Sequence, residues 1–105
     1  MSDTTSSRGV IVKHPDGMHV RFATSLTQLV SEFESAITVI KGAERADAAS
    51  VMHVLGLGAV QGTELEIEAN GPDAEAALNA LVEFFNQDPI DEEETNQQEA
   101  NGDVA

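Results

Sequence analysis

The sequence predicts an α+β fold: an open-faced sandwich in the order β-α-β-β-α-β-α, with a four-stranded antiparallel sheet covered by three helices on one face. Three observations carry this reading. Residues 22–33 and 74–85 repeat their apolar side chains with the period of a helix. Residues 64–69 alternate acid and apolar without exception, the pattern of a strand with one wet face. A tight reversal at Lys41-Gly42 joins two β-rich runs directly, so those strands are antiparallel neighbours. Helices on one face of such a sheet bury every stripe.

The elements follow in order. Residues 8–13 are a short β-rich run in which Val10 and Val12 alternate with Gly9 and Ile11. His14-Pro15-Asp16-Gly17 is a turn signal. From Val20 the period changes, and Phe22, Leu26, Leu29, Val30 and Phe33 form one helical stripe. Residues 36–40 are the second strand, and residues 43–47 return as the third. Ser50 caps a short helix over 51–55, stopped by Gly56 and Gly58. The alternating strand is 64–69. Asn70-Gly71-Pro72 then opens the last helix, with Pro72 at its first position and Asp73 and Glu75 at its positive end. Ala74, Ala77, Leu78, Leu81, Val82 and Phe85 are its buried stripe.

The 105 residues make one domain. No run of about 18 apolar residues exists to span a membrane, and the polar residues 1–7 lack the apolar segment of a signal peptide. With no cysteine there is no disulfide, thiol catalysis or thiolate metal site, which fits a cytoplasmic protein. A net charge of −14 argues against nucleic acid and anionic membranes as partners. That charge is unevenly placed. Residues 87–105 carry seven acids and no base, leaving twelve acids against five bases, a net −7, for residues 1–86. Composition therefore divides the chain into a disordered N-terminus over 1–7, a folded domain over 8–86 and a disordered acidic tail over 87–105.

The segment of chemical interest is Gly17-Met18-His19-Val20-Arg21. It sets an imidazole at the start of a helix, where backbone N–H groups have no intrahelical acceptor, and a guanidinium two residues on. Such a set holds an anion. If the anion is bonded to the imidazole, the site carries a phosphoryl group, because neutral imidazole is a competent nucleophile near pH 7. The bland alternative is a surface or capping histidine. His14 lies five residues earlier, and the spacing offers no third ligand, so no metal site is expected. His53 reads as a surface residue of the short helix, and Glu64, Glu66 and Glu68 as a solvated sheet face.

Taken together, Gly17-Met18-His19-Val20-Arg21, the element order, and the serine-led run from Ser50 through Leu55-Gly56-Leu57-Gly58 to Gln61-Gly62 resemble HPr. This is the histidine-containing phosphocarrier family of the bacterial phosphoenolpyruvate:sugar phosphotransferase system. The resemblance covers about residues 8–86. It implies that His19 accepts the phosphoryl group and Arg21 neutralises it. Ser50 matches the serine that a dedicated kinase phosphorylates for regulation in some lineages. Phe22, Val51, Met52 and Leu55 fall on the surface where partners dock, with a place in the core as the plainer alternative for Val51, Met52 and Leu55. The implied partners are enzyme I as donor and sugar-specific enzyme IIA domains or regulators as acceptors, serving sugar transport. No cofactor is implied, and a monomeric carrier, not an enzyme in its own right, is expected. Phe22 departs from the family pattern, which usually has proline there. The fixed φ that preorganises the first helical turn is lost, and a bulky ring stands in its place.

Two other readings stand beside the carrier. One is a regulatory relative that acts by binding partners, with Ser50 as its switch; His19 speaks against it, because purely regulatory relatives replace that histidine. The other is an unrelated α+β binding module that holds the motif by coincidence.

Overall fold

The computed structural model describes residues 5–87. Its elements are β1 (Thr5–Ile11), α1 (Val20–Val30), β2 (Ala36–Lys41), β3 (Glu44–Asp47), α2 (Val51–Gly56), β4 (Glu64–Asn70) and α3 (Ala74–Phe85). The four strands form one antiparallel sheet in the order β1-β4-β2-β3. The alternation of side chains sets its register. Ile67 of β4 lies opposite Val39 of β2, and Val39 opposite Ala46 of β3, so one row of buried residues crosses β4, β2 and β3 beneath the helices. Leu65 and Ala69 of β4 continue that face. The other face is wet, as the acidic alternation predicts: Glu64 and Glu66 are exposed, and Glu68 accepts from Arg45 at 2.6 Å.

Each helix lays a stripe on the inner face. From α1 come Ala23, Leu26 and Val30, and from α3 come Ala74, Ala77, Leu78, Leu81 and Phe85. Val54 of α2 is fully buried. The loop between β2 and β3 holds two residues, and its first, Gly42, has φ +61°, the conformation such a loop requires there. Lys41 ends β2 by donating to the Leu57 carbonyl at the end of α2, at 2.9 Å.

Element ends shift by one or two residues at several places, β1 stopping at Ile11 and not at Lys13, and three boundaries differ in ways that matter. β1 begins at Thr5, so residues 5–7 belong to the sheet and not to a disordered terminus. Thr5, Ser6 and Ser7 pair with Asn70, Ala69 and Glu68. Polar composition hid this, because the ladder satisfies their backbone groups whatever the side chain. α1 ends at Val30, short of Phe33. The N–H groups of Glu32 and Phe33 turn back to the Leu29 and Val30 carbonyls, and Phe33 packs on the core from this last turn. α3 begins at Ala74, not at Pro72. Asp73 is its N-cap, yet its carboxylate caps nothing in that helix. It accepts instead from the Glu34 and Ser35 N–H groups, at 2.9 Å each, and from the Ser35 hydroxyl at 2.6 Å. The charge-assisted bonds to the α1–β2 connection win over local capping. The expected acidic tail, residues 88–105 together with Gln87, lies outside the described residues except for Gln87.

Candidate functional site

The loop before α1 is fastened to the loop before β4. Val12 donates to the Thr63 carbonyl at 2.9 Å and accepts from the Gly62 N–H at 2.8 Å. Gln61 Nε2 donates to the Lys13 carbonyl at 3.2 Å. Met18 donates to the Ala59 carbonyl at 2.9 Å and buries its side chain. Gly17 closes a turn by donating to the His14 carbonyl at 2.9 Å. It has φ +71°, and a Cβ on it would stand 2.6 Å from the Ala59 carbonyl oxygen. Only glycine serves at this contact, for the left-handed backbone and for the close approach together.

This pinned loop delivers His19 as the N-cap of α1, with φ −94° and ψ 178°. The expectation of an imidazole at the helix start is met. Its side chain makes no capping bond, and no acid stands in the first turn. The first N–H groups of α1 are thus not neutralised by a side chain of that turn, and they carry the positive end of the helix dipole. His19 is half-buried, and its Nε2 is buried with no hydrogen-bond partner among the described residues.

Arg21 is exposed and makes no ion pair or hydrogen bond among the described residues. The contrast with the other guanidinium groups is informative. Arg8 is held by Glu75 at 2.8 Å and Arg45 by Glu68 at 2.6 Å. Arg8 ties β1 to α3 and Arg45 braces the sheet, whereas Arg21 has no such acid beside it among the described residues.

Phe22 is half-buried. Its ring meets those of Phe84 and Phe85 with centroids 4.9 Å and 5.4 Å away. The ring is thus engaged by α3. Val51 and Leu55 are half-buried and pack on the core, while Met52 stands 74% exposed. Ser50 caps α2, its Oγ accepting from the His53 N–H at 3.2 Å. His53 itself is exposed, as expected.

Sequence reasoning missed two features of this region. Val20 and Val60 are 62% and 66% exposed. Val20 follows His19 directly, and Val60 lies in the loop against Gly17, so apolar surface borders the histidine loop. The signal for Val20 was present, since it falls off the α1 stripe. Asp16 is the second. The groups of His14, Asp16 and His19 offer one ligand atom each, all within 4.8 Å of one another. The sequence spacing did not show Asp16 as a candidate third ligand beside His14 and His19; the turn brings it within reach of both. Regular ligand spacing presumes a helix or strand, and this is a tight turn.

Comparison with known proteins identifies the lineage. Residues 6–87 match the family PTS-HPr, described as the PTS HPr component phosphorylation site. The chain belongs to the HPr family of phosphotransferase-system phosphocarriers. It is 40% identical to phosphocarrier protein NPr of Shewanella violacea, over 74% of this chain and 86% of that protein. It is 39% identical to phosphocarrier protein HPr of Treponema pallidum, over 73% of this chain and 86% of that protein. The crystal structure of HPr from Bacillus anthracis superposes with a TM-score of 0.75 at 28% identity, over 78% of this chain and 98% of that one. The open-faced sandwich is thus the HPr fold, and the family resemblance drawn from Gly17-Met18-His19-Val20-Arg21 is borne out.

Proposed function

We propose that this HPr-family chain accepts a phosphoryl group on His19 from enzyme I and passes it to enzyme IIA domains or regulatory acceptors. The observation that carries the reading is the uncapped start of α1: an imidazole at the N-cap, N–H groups not capped by its side chain, and on the same turn an Arg21 with no partner among the described residues. Nε2 is buried, so Nδ1 is the nitrogen that attacks an incoming phosphorus. The N–P bond forms as the bond from phosphorus to the donor breaks, and the reverse step returns the group to an acceptor. An exposed helix end contributes roughly 0.3–1 kcal/mol to holding such an anion. Arg21 adds charge-assisted hydrogen bonds. This moderate grip suits a carrier, which must release what it holds. The chain itself is a covalent intermediate of transfer and not an enzyme, and it works in the cytoplasm as a monomer.

The test is incubation with phosphoenolpyruvate and enzyme I, followed by intact-mass measurement before and after acid. The wild-type chain gains one acid-labile phosphoryl group. His19→Ala gains none and keeps its melting temperature within about 2 °C, since a half-exposed N-cap without a capping bond contributes little. Labelling retained in that variant removes His19 from the role.

Ser50 supports a regulatory arm of the same function, under a serine kinase. Its hydroxyl sits at the start of α2, two residues before the exposed Met52. A phosphate there adds about −1.5 to −2 charges while the positive end of α2 tolerates it. Ser50→Asp is expected to weaken enzyme I binding several-fold at low salt, with the fold unchanged. Equal affinities at low salt, where screening is weakest, leave Ser50 as a cap only.

A further inference from the structure

We propose that His14, Asp16 and His19 form a binding site for one divalent transition-metal ion of the zinc class. Their three candidate ligand atoms converge within 4.8 Å. A tetrahedral zinc with bonds of about 2.0–2.1 Å needs its ligands roughly 3.3 Å apart. Closing from 4.8 Å to that spacing takes side-chain adjustment, and the Asp16 side chain is exposed and held by no hydrogen bond among the described residues. Two imidazoles and one carboxylate form a three-ligand set that leaves a fourth position open for water or an anion. Imidazole nitrogen favours zinc, copper, nickel and cobalt over calcium and magnesium, which prefer all-oxygen sites.

The scaffold is preorganised. Both residues between Asp16 and His19 are anchored on the opposite loop, Gly17 by its close approach to Ala59 and Met18 by its bond to the Ala59 carbonyl. The His14 and His19 rings already meet edge to face, centroids 4.9 Å apart and planes at 73°. His14 Nδ1 accepts the Asp16 N–H at 3.1 Å, so this nitrogen is unprotonated, the form a metal requires. His19 has bonding capacity to spare, since its Nε2 is buried without a hydrogen-bond partner among the described residues. The chain's net charge of −14 raises the local concentration of any cation.

One consequence rests on the phosphoacceptor reading of His19. A neutral imidazole has one unprotonated ring nitrogen, and a metal bound to it leaves the other nitrogen protonated and unable to attack phosphorus, so metal occupancy and phosphoryl acceptance compete. The metal site itself does not depend on that reading.

The test is titration of the metal-free, full-length chain with zinc by calorimetry, with imidazole resonances followed by NMR. One saturable equivalent is expected. The His14 and His19 ring signals shift together up to that equivalent, and His53, the third histidine, does not. His14→Ala and Asp16→Ala each weaken binding at least tenfold, with native spectra elsewhere. The site is overturned by the absence of a one-equivalent step, by variants that bind as the wild type does, or by His53 shifting in parallel. A chain that binds zinc in this way but takes no phosphoryl group overturns the phosphoacceptor reading alone. A chain that is phosphorylated on His19 and shows no zinc step overturns the metal site alone.

Discussion

At the scale of single residues, Gly17 is the hinge on which the site depends. Its φ of +71° and the 2.6 Å from a built Cβ to the Ala59 carbonyl oxygen make any side chain there doubly unfavourable. Gly17→Ala is expected to cost about 1–3 kcal/mol and to slow phosphoryl acceptance at temperatures where the variant is still folded, because the loop that carries His19 must move. Gly42 is the control. It shares a positive φ, +61°, but a Cβ there meets nothing within 4 Å. Gly42→Ala should lower the melting temperature modestly and leave the phosphorylation rate alone. If both variants slow the reaction equally, the effect is global destabilisation and not loop displacement.

At the scale of elements, the Asp73 carboxylate is the clasp between α3 and the α1–β2 connection. The Ser35 hydroxyl bond and the Glu34 N–H bond hold its pKa below the ordinary aspartate value. A carboxyl group whose pKa is lowered on folding contributes stability above its unfolded value, near 3.9. That stability is lost as pH falls through the lower folded value. Glu75, at the start of α3, is shifted the same way by the Ser6 hydroxyl and by Arg8, and it ties that helix to β1. Asp73→Asn is therefore expected to melt below the wild type at pH 7. The gap should narrow as pH drops below about 4 and close once the pH has fallen below the lower folded value. Thermal unfolding over that range checks it, and a gap independent of pH would assign the effect to shape rather than charge. Gly71 sits at the same junction, where a Cβ would stand 2.6 Å from the Ser35 hydroxyl oxygen. The two connections are built to touch.

At the scale of the whole molecule, one core serves the sheet and all three helices, so the fold should unfold as a unit. Ile67 lies near its centre, fully buried in the row with Val39 and Ala46. Ile67→Ala is expected to cost about 2–5 kcal/mol in a single cooperative transition, measured by denaturant unfolding. A small cost with an unchanged midpoint would mean that the sheet and the helices do not share this core. The site stands outside that row, on a loop and a helix end, so its chemistry can vary without repacking the interior.

The sequence by itself determined the element order, the wet face of β4, the stripes of α1 and α3, the reversal at Gly42, the cap at Ser50, and His19 at a helix start beside Arg21. Each of these is a local pattern. Side-chain period and turn chemistry act over a few residues and need no partner from elsewhere in the chain. Other features were settled only by tertiary structure. The sheet order β1-β4-β2-β3 pairs strands far apart in sequence. β1 gained residues 5–7 because β4 offered them partners. Asp73 left its own helix to bind Glu34 and Ser35, and the Phe22 ring turned to Phe84 and Phe85. The gathering of His14, Asp16 and His19 belongs to this second group. A tight turn sets its side-chain directions by which backbone groups are pinned, here Gly17 and Met18 against Ala59, and no spacing rule for helices or strands describes that.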